Sequence, residues 1–204
     1  SPSAIYIADG VTGIGDNAFY NMTSLQTVEF QNASDLTYIG EQAFSGDSRV
    51  KFTDLGNEGD TSTLDLSHVG TMGQGAFRSC AGLTGVVLGK TITAKEAGQS
   101  IPNKLPNSAF ASTGLTSIDL PAGIKSIGDS AFSGLTRMSS LTLPDSLVTI
   151  GARAFYCGTD NPNSLLSSLT IPEHVETIGE EAFCNFKGLR EVVVESEVLK
   201  TVDA

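Results

Sequence analysis

His68 and His174 are the only histidines of the chain, and imidazole is the side chain best suited to general-base chemistry near neutral pH. The Gly-x-Ser-x-Gly nucleophile elbow is absent from the sequence. A Ser-His-Asp triad assembled by the fold stays open at this point, although surface positions are the favoured interpretation of both histidines. The sequence therefore predicts a protein that is not an enzyme and has no cofactor.

Oxygen ligands gather in one stretch, at Asp54, Asn57, Glu58 and Asp60, and such side chains can bind calcium. Their spacing differs from that of an EF-hand, and the terminal glutamate of that loop is missing. A solvated loop is the favoured interpretation, and calcium binding stays open as an alternative.

Two glycine motifs resemble nucleotide-binding sequences. Gly13-Ile-Gly15-Asp-Asn-Ala18 matches a dinucleotide fingerprint, but no strand–helix–strand context follows it. In residues 85–91 a Gly-Lys-Thr sequence resembles a phosphate loop, but the first glycine is one residue too close. The first motif recurs in degraded form along the chain, so both are interpreted as parts of a structural repeat.

Three cysteines are present, at Cys80, Cys157 and Cys184. Their number is odd, and no Cys-x-x-Cys pair or nearby histidine accompanies them. They indicate neither a disulfide framework nor a metal site, and we expect buried core thiols.

The charge of the chain limits its partners. The net charge is -11, from 23 acidic and 12 basic side chains, and the basic ones never cluster. Nucleic acid and anionic membrane surfaces would be repelled at long range, so we expect neither as a partner. No run of 18 apolar residues is present, so no membrane insertion of this segment is expected.

An Ala-Phe pair preceded by an aliphatic or methionine residue recurs seven times. The phenylalanines are Phe19, Phe44, Phe77, Phe110, Phe132, Phe155 and Phe183. Successive spacings are 25, 33, 33, 22, 23 and 28 residues, so a period near 22 to 23 lies under insertions. A fixed period of this length predicts a solenoid, in which each unit buries its apolar face against its neighbours.

The regular units indicate which positions are buried. One runs from Leu115 through Ile118 and Leu120 to Phe132, and two more follow with the same spacing. Alternation at Ile118 and Leu120 predicts a strand with these side chains inside. The glycine after Ile127 suggests a turn that a side chain would hinder. The phenylalanines are expected to form a spine along the solenoid axis.

The pattern L-x-x-I-x-I-P-x-x-(I/V)-x-x-I-G-x-x-A-F resembles the BspA-like leucine-rich repeat of bacterial and protozoan surface proteins. The resemblance covers the chain from about Ile5 to Val202. The family often has a cysteine shortly after Ala-Phe, and here only Cys80 occupies that position. The resemblance implies a right-handed, β-rich solenoid with parallel strands stacked on a concave sheet and about seven repeats. It also implies an extracellular or cell-surface adhesion role, with a host matrix or cell-surface protein as the ligand class.

Residues 1–204 are interpreted as a single domain that begins and ends within a repeat and belongs to a longer chain. Three segments break the period: residues 45–63, with a strand resuming at Leu64; residues 89–104; and residues 156–165. Such insertions are expected in surface loops, often around a binding face. An irregular coil without function is an equal alternative.

The outward strand positions are expected to form a polar ladder across the concave sheet, and the insertions add further contact candidates. The predicted binding residues are Tyr6, Glu29, Asp65, Val87, Asp119, Thr142, Thr170 and Val193 on the ladder, and Lys90, Lys95, Lys104 and Tyr156 in the insertions. The leading hypothesis is a non-catalytic recognition module that binds proteins or other macromolecules. The alternative is a rigid spacer that presents another domain and has no ligand of its own.

Overall fold

Each repeat forms one coil that contains a long strand, a short strand and a turn with the Ala-Phe pair. The computed structural model describes residues 2–57, 59–158 and 165–203. Within these ranges seven coils carry an Ala-Phe turn, and the strands of an eighth coil follow. The chain is therefore a β-solenoid, as the period predicts.

The strands are named here in chain order, coil by coil. They are β1 (Ala4–Ile7) and β2 (Gly13–Ile14) in coil 1; β3 (Thr27–Phe30) and β4 (Tyr38–Ile39) in coil 2; β5 (Lys51–Asp54), β6 (Thr63–Leu66) and β7 (Thr71–Gly73) in coil 3; β8 (Gly85–Leu88), β9 (Thr93–Glu96), β10 (Gln99–Pro102) and β11 (Lys104–Leu105) in coil 4; β12 (Ser117–Asp119) and β13 (Ser126–Ile127) in coil 5; β14 (Ser140–Thr142) and β15 (Thr149–Ile150) in coil 6; β16 (Ser168–Ile171) and β17 (Thr177–Ile178) in coil 7; and β18 (Glu191–Val194) and β19 (Thr201–Val202) in coil 8. A 3₁₀ turn spans Ala33–Asp35.

The long strands stack in one row, which we call the long-strand row, and the short strands in a second, the short-strand row. Neighbouring coils pair in parallel, as in β1 with β3 and β13 with β15. In β12 the side chain of Ile118 is buried while Ser117 and Asp119 are exposed, which confirms the predicted alternation. The outward side of the long-strand row is called the ladder face below.

The predicted phenylalanine spine is confirmed. All seven rings stack in sequence along the solenoid, with centroids 5.2 to 5.8 Å apart. The five inner rings are at most 1% exposed, whereas Phe19 and Phe183 at the two ends are half-buried. The alanine before each ring lets the turns of adjacent coils approach closely, since Phe132 donates its N–H to Ala154 at 2.8 Å.

The residue before each Ala-Phe pair adopts a left-handed backbone, a feature that the sequence did not indicate. Its φ is between +51° and +63° in every coil. The residues are Asn17, Gln42, Gly75, Ser108, Ser130, Arg153 and Glu181. Only one of them is glycine, although this region costs other residues about 1–2 kcal/mol. The conformation aims the N–H of Ser130 at the Ala152 carbonyl of the next coil, 2.8 Å away.

The glycine after the short strand is needed for a different reason from the predicted turn. Its φ is not in the left-handed region at Gly128, but a Cβ there would lie 2.5 Å from the backbone nitrogen of Asn107 in the preceding coil. The equivalent Gly15 in coil 1 has no preceding coil and meets nothing within 4 Å. Close coil-to-coil approach therefore selects this glycine.

The first two insertions contain strands, so the expectation of surface loops there is wrong. Within residues 45–63, β5 belongs to the long-strand row and pairs with β3, and only the segment after Asp54 leaves the row. The strand predicted to resume at Leu64 is confirmed as β6, which pairs with β8. Within residues 89–104, β9 and β10 form an antiparallel hairpin.

As a result, coil 3 has two long strands and coil 4 has two short strands. β9 pairs with β7 of the preceding coil, while β11 pairs with β13 of the next coil. An additional strand adds about 4.8 Å to its own row only. In coils 3 and 4 the strands of the two rows therefore do not correspond one to one. The third insertion lies mostly outside the described residues.

Candidate functional site

The two histidines lie on the surface, as predicted. The Nδ1 atom of His68 is 3.4 Å from the hydroxyl of Ser67, and both residues lie beyond the end of β6. His174 places its Nδ1 atom 3.0 Å from the carbonyl of Asp145 and 3.4 Å from a carboxylate oxygen of Glu173. Within the described part of the chain, no carboxylate contacts the His68 ring, so the arrangement lacks the third member of a triad.

The candidate calcium ligands described in the first insertion form hydrogen bonds within the protein. The carboxylate of Asp54 is fully buried and accepts hydrogen bonds from the backbone N–H groups of Ala33, Gly56 and Asp65, at 3.0 to 3.1 Å. It thereby ties β5 to coil 2 and to β6.

The other oxygen ligands of this loop point in different directions. Asn57 donates to the carbonyl of Thr63, and Asp60 accepts from the hydroxyls of Ser62 and Thr63. Glu58 lies outside the described residues. Among the residues described, no group of His, Cys, Asp and Glu is arranged to hold a metal ion.

Two of the three cysteines are core residues, as expected. Cys80 and Cys157 are buried and Cys184 is half-buried. The Cys80 thiol donates to the carbonyl of Phe44 at 3.0 Å. Burial raises the pKa of this thiol, which keeps it protonated and unreactive.

The predicted ladder forms in the expected register. Tyr6 lies opposite Glu29, Asp65 opposite Val87, Asp119 opposite Thr142, and Thr170 opposite Val193. Thr53 of β5 occupies one further outward position, next to Glu29, and this position was not predicted because β5 lies within an insertion. Tyr6 is 73% exposed, so this face presents one large aromatic side chain to solvent.

Two of the three predicted lysines bind within the chain. The ammonium of Lys95 lies 3.1 Å from the Asp16 carboxylate and 3.0 Å from the Tyr38 hydroxyl, and it sits over the Tyr38 ring. Hydrogen bonds from Tyr38, from the backbone of Glu41 and from Lys95 lower the pKa of Asp16. Lys95 thus fastens the hairpin to coils 1 and 2.

Lys104 has a similar role at the base of the hairpin. Its ammonium lies 2.7 Å from a carboxylate oxygen of Glu96, and the other oxygen accepts the N–H of Asn107 at 2.6 Å. Lys90 is exposed, and Tyr156 is half-buried beside the third insertion. Of the predicted insertion residues, Lys90 is therefore the cation that stays available to a partner.

The long-strand row is interrupted at each insertion. Within the described residues, ladders join β1-β3-β5, β6-β8, β12-β14 and β16-β18, so pairing stops between β5 and β6, between β8 and β12, and between β14 and β16. The second break follows from the extra short strand of coil 4, because β9 and β11 both occupy space between coils 3 and 5 while the long-strand row has only β8. On this argument the second insertion opens the ladder face between β8 and β12.

Surface clefts lie at these breaks. The cleft between β8 and β12 has a volume of 240 Å³ and is bordered by Gly85, Val87, Ser117 and Asp119. The cleft between β14 and β16 has a volume of 280 Å³ and is bordered by Thr142, Asp145, Thr170 and Glu195. Four of the predicted ladder residues, Val87, Asp119, Thr142 and Thr170, thus border a cleft.

The chain matches the family model described as the BspA type leucine rich repeat region, in six copies over residues 1–97 and 103–203. No curated protein sequence matches. Among the described residues no helix has the length and apolar character needed to cross a membrane.

Several solved structures share the fold. A leucine-rich repeat protein from Bacteroides ovatus is 26% identical, with a TM-score of 0.60, over 93% of this chain and 41% of its own. A leucine rich cell surface protein from Faecalibacterium prausnitzii is 24% identical, with a TM-score of 0.65, over 97% of this chain and 48% of its own. The Treponema pallidum leucine-rich repeat protein has a TM-score of 0.50 at 21% identity, over 94% of this chain and 70% of its own. The chain spans less than half the length of the first two.

Proposed function

The chain belongs to the BspA-type leucine-rich repeat family, and on that premise we propose that it is a non-catalytic recognition module that binds a protein or another macromolecule on its ladder face. An extracellular or cell-surface location and an adhesion role are part of the proposal. Support for the location comes from the structural relative named as a cell surface protein.

The break between β8 and β12 is the observation that carries this proposal. A regular solenoid would pair every long strand with the next, because each unpaired backbone group loses a hydrogen bond. Here the 10-residue hairpin segment keeps one pair of strands apart at the middle of the ladder face. A regular stack with an open cleft at its centre suits contact with a partner better than it suits stability alone.

The chemistry of the central cleft supports an extended contact. Val87 is 47% exposed at its centre, and Asp65 and Asp119 lie on either side of it. An exposed aliphatic residue between carboxylates offers a partner both apolar contact and hydrogen-bond acceptors. Tyr6, at the first coil, provides an aromatic residue of the type enriched in binding hot spots.

The rigid spacer stays the second candidate, and one observation favours it. The outward positions of coils 5 to 7 carry mainly serine and threonine, at Ser117, Ser140, Thr142, Ser168 and Thr170. Such residues stabilise neighbouring strands and provide no large anchor. A spacer requires only the stacked core, so the clefts would have no function in it.

Binding of the folded chain to an array of matrix proteins and glycans tests the proposal, with Val87→Asp and Val193→Asp compared. The two valines occupy equivalent outward strand positions and are 47% and 43% exposed, so the same change should be tolerated equally by the fold. We expect a saturable ligand whose affinity falls at least about tenfold with Val87→Asp and little with Val193→Asp.

Two results would contradict this proposal. If a folded sample bound nothing on the array, the result would favour the rigid spacer. Equal binding by the chain and by Val87→Asp would remove the central cleft from the binding surface.

A further inference from the structure

A third cleft lies beside the first insertion and has not been assigned a role. It has a volume of 370 Å³, within the range of about 300–1,000 Å³ that is typical of ligand sites. Lys51 and Thr53 of β5 border it, together with Thr61 and Ser62 of the insertion and Arg137 of the segment before β14. The segment before β8 completes the cleft and contributes Thr84.

The cleft brings together two cations that have no acidic partner within the described residues. Four other basic residues of the chain pair with carboxylates, namely Lys95, Lys104, Arg153 and Lys200. Lys51 and Arg137 make no ion pair and are both exposed. Among the described residues, two cations without an ion pair and no carboxylate border this cleft, so the surface charge there is locally the opposite of the net charge of -11.

Hydroxyl groups make up most of the remaining polar lining. Thr53, Thr61 and Thr84 each carry a hydroxyl that can donate one hydrogen bond and accept others, and Ser62 adds a further hydroxyl. The Ser62 hydroxyl donates to Asp60, which leaves its oxygen lone pairs available, and Asp60 itself does not border the cleft. A ligand in this cleft would meet positive charge together with several small donors and acceptors.

We propose that this cleft binds the carboxylate of an acidic sugar, with Lys51 and Arg137 holding the carboxylate and the four hydroxyls contacting the sugar hydroxyls. The guanidinium of an arginine matches a carboxylate through two parallel hydrogen bonds, and a lysine adds a charge-assisted one. Phe52, Ala81 and Gly82 supply the apolar part of the lining, so the two cations and the four hydroxyls are the features that select an acidic, hydroxyl-rich ligand. This inference rests on the proposed recognition function and names the ligand class of one of its sites.

Titration of the folded chain with oligomers of galacturonic acid tests the inference directly. We expect saturable binding that weakens with added salt, because the contact is between opposite charges at a surface. The double substitution Lys51→Met and Arg137→Met should weaken this binding about tenfold or more, because it removes all three charge-assisted hydrogen bonds to the carboxylate. Fully methyl-esterified oligomers, which keep the sugar hydroxyls and lose the charge, should not bind.

The matched control is Lys125→Met with Lys187→Met, which removes the same charge from exposed lysines outside this cleft. Binding that falls equally in both double variants would show general attraction to the surface and overturn the inference. So would absence of binding, or equal binding of hexaglutamate, which has carboxylates without sugar hydroxyls. The comparison of Val87→Asp with Val193→Asp does not depend on this cleft, so the two proposals can fail separately.

Discussion

Asp47 is a carboxylic acid at a position where the next two coils carry neutral hydrogen-bond donors. The equivalent residues are Cys80 and Thr113, whose side chains donate to backbone carbonyls at 3.0 and 2.9 Å. Asp47 is 1% exposed, and one carboxylate oxygen accepts the N–H of Met22 at 2.7 Å. The other oxygen has no partner among the described residues. This site favours the protonated acid, and burial raises the pKa of Asp47 to about 6.

The contribution of Asp47 to folding stability should therefore decrease between about pH 4 and pH 6. The folded state holds the proton of Asp47 more tightly than the unfolded state, whose pKa is near 3.8, so the stabilisation is complete below that value and is lost as the pH rises through 6. A shift of this size corresponds to at most roughly 3 kcal/mol.

Asp47→Asn should remove this contribution to the pH dependence, which urea unfolding at pH 4 and pH 8 would measure. The difference in free energy of unfolding, variant minus original chain, should be more positive at pH 8 than at pH 4. Asp9→Asn, at an exposed position, is the control and should not change the pH profile in this way. A variant that keeps the full pH dependence would show that Asp47 is not its source.

At the scale of the element, the coil-to-coil contact is a repeated unit with a testable steric requirement. Gly128→Ala should lower the free energy of unfolding by about 1–3 kcal/mol, because the added Cβ would lie 2.5 Å from the Asn107 nitrogen and side-chain oxygen. Gly15→Ala changes the same repeat position without a contact and should be neutral or slightly stabilising. Denaturant unfolding of both variants measures the difference.

Equal stability losses in the two alanine variants would contradict the account of this glycine. They would indicate that its backbone conformation, and not the neighbouring coil, makes it necessary. The absence of a left-handed φ at Gly15 and Gly128 argues for the neighbouring coil.

The elements that could be predicted from sequence are those that repeat. Positions such as Ile118, Leu120 and Phe132 recur at fixed intervals, so their burial and the stacking of coils followed from the period alone. The ladder register followed as well, since equivalent positions in parallel coils must face each other.

Elements within the insertions could not be predicted in this way. β5 and the β9–β10 hairpin occur once, so no period marks them. From the sequence, Lys95 and Lys104 were interpreted as unpaired cations in a loop. Their partners Asp16 and Glu96 come close to them only because the hairpin forms. The left-handed residues were missed because most of them are not glycine, as at Ser130 and Arg153.

At the scale of the whole molecule, the central cleft between β8 and β12 is explained by a mismatch between the two rows of strands. Coil 3 adds a strand to the long-strand row and coil 4 adds a strand to the short-strand row, and the long strands of coils 4 and 5, β8 and β12, do not pair. This mismatch depends on the number of strands in each row and on no single residue. The relatives with solved structures share the solenoid, whereas the site proposed here depends on the insertions of this chain.

Deletion of residues 93–102 should restore a regular coil 4. The interval from Leu88 to Phe110 would change from 22 residues to the 12 that separate Leu120 from Phe132, and Ile92 would take the position of Ile124. With the extra short strand removed, β8 and β12 should pair as other neighbouring long strands do, and the cleft at Val87 should close.

Amide hydrogen exchange of β12 in the chain and in this deletion variant tests the account most directly. We expect the β12 amides that face β8 to exchange about tenfold or more slowly in the deletion variant, because they gain backbone partners. Exchange in β15, which is paired on both sides, should be the same in both proteins and serves as the internal control. Unchanged exchange in β12 would show that the hairpin does not hold the ladder face open.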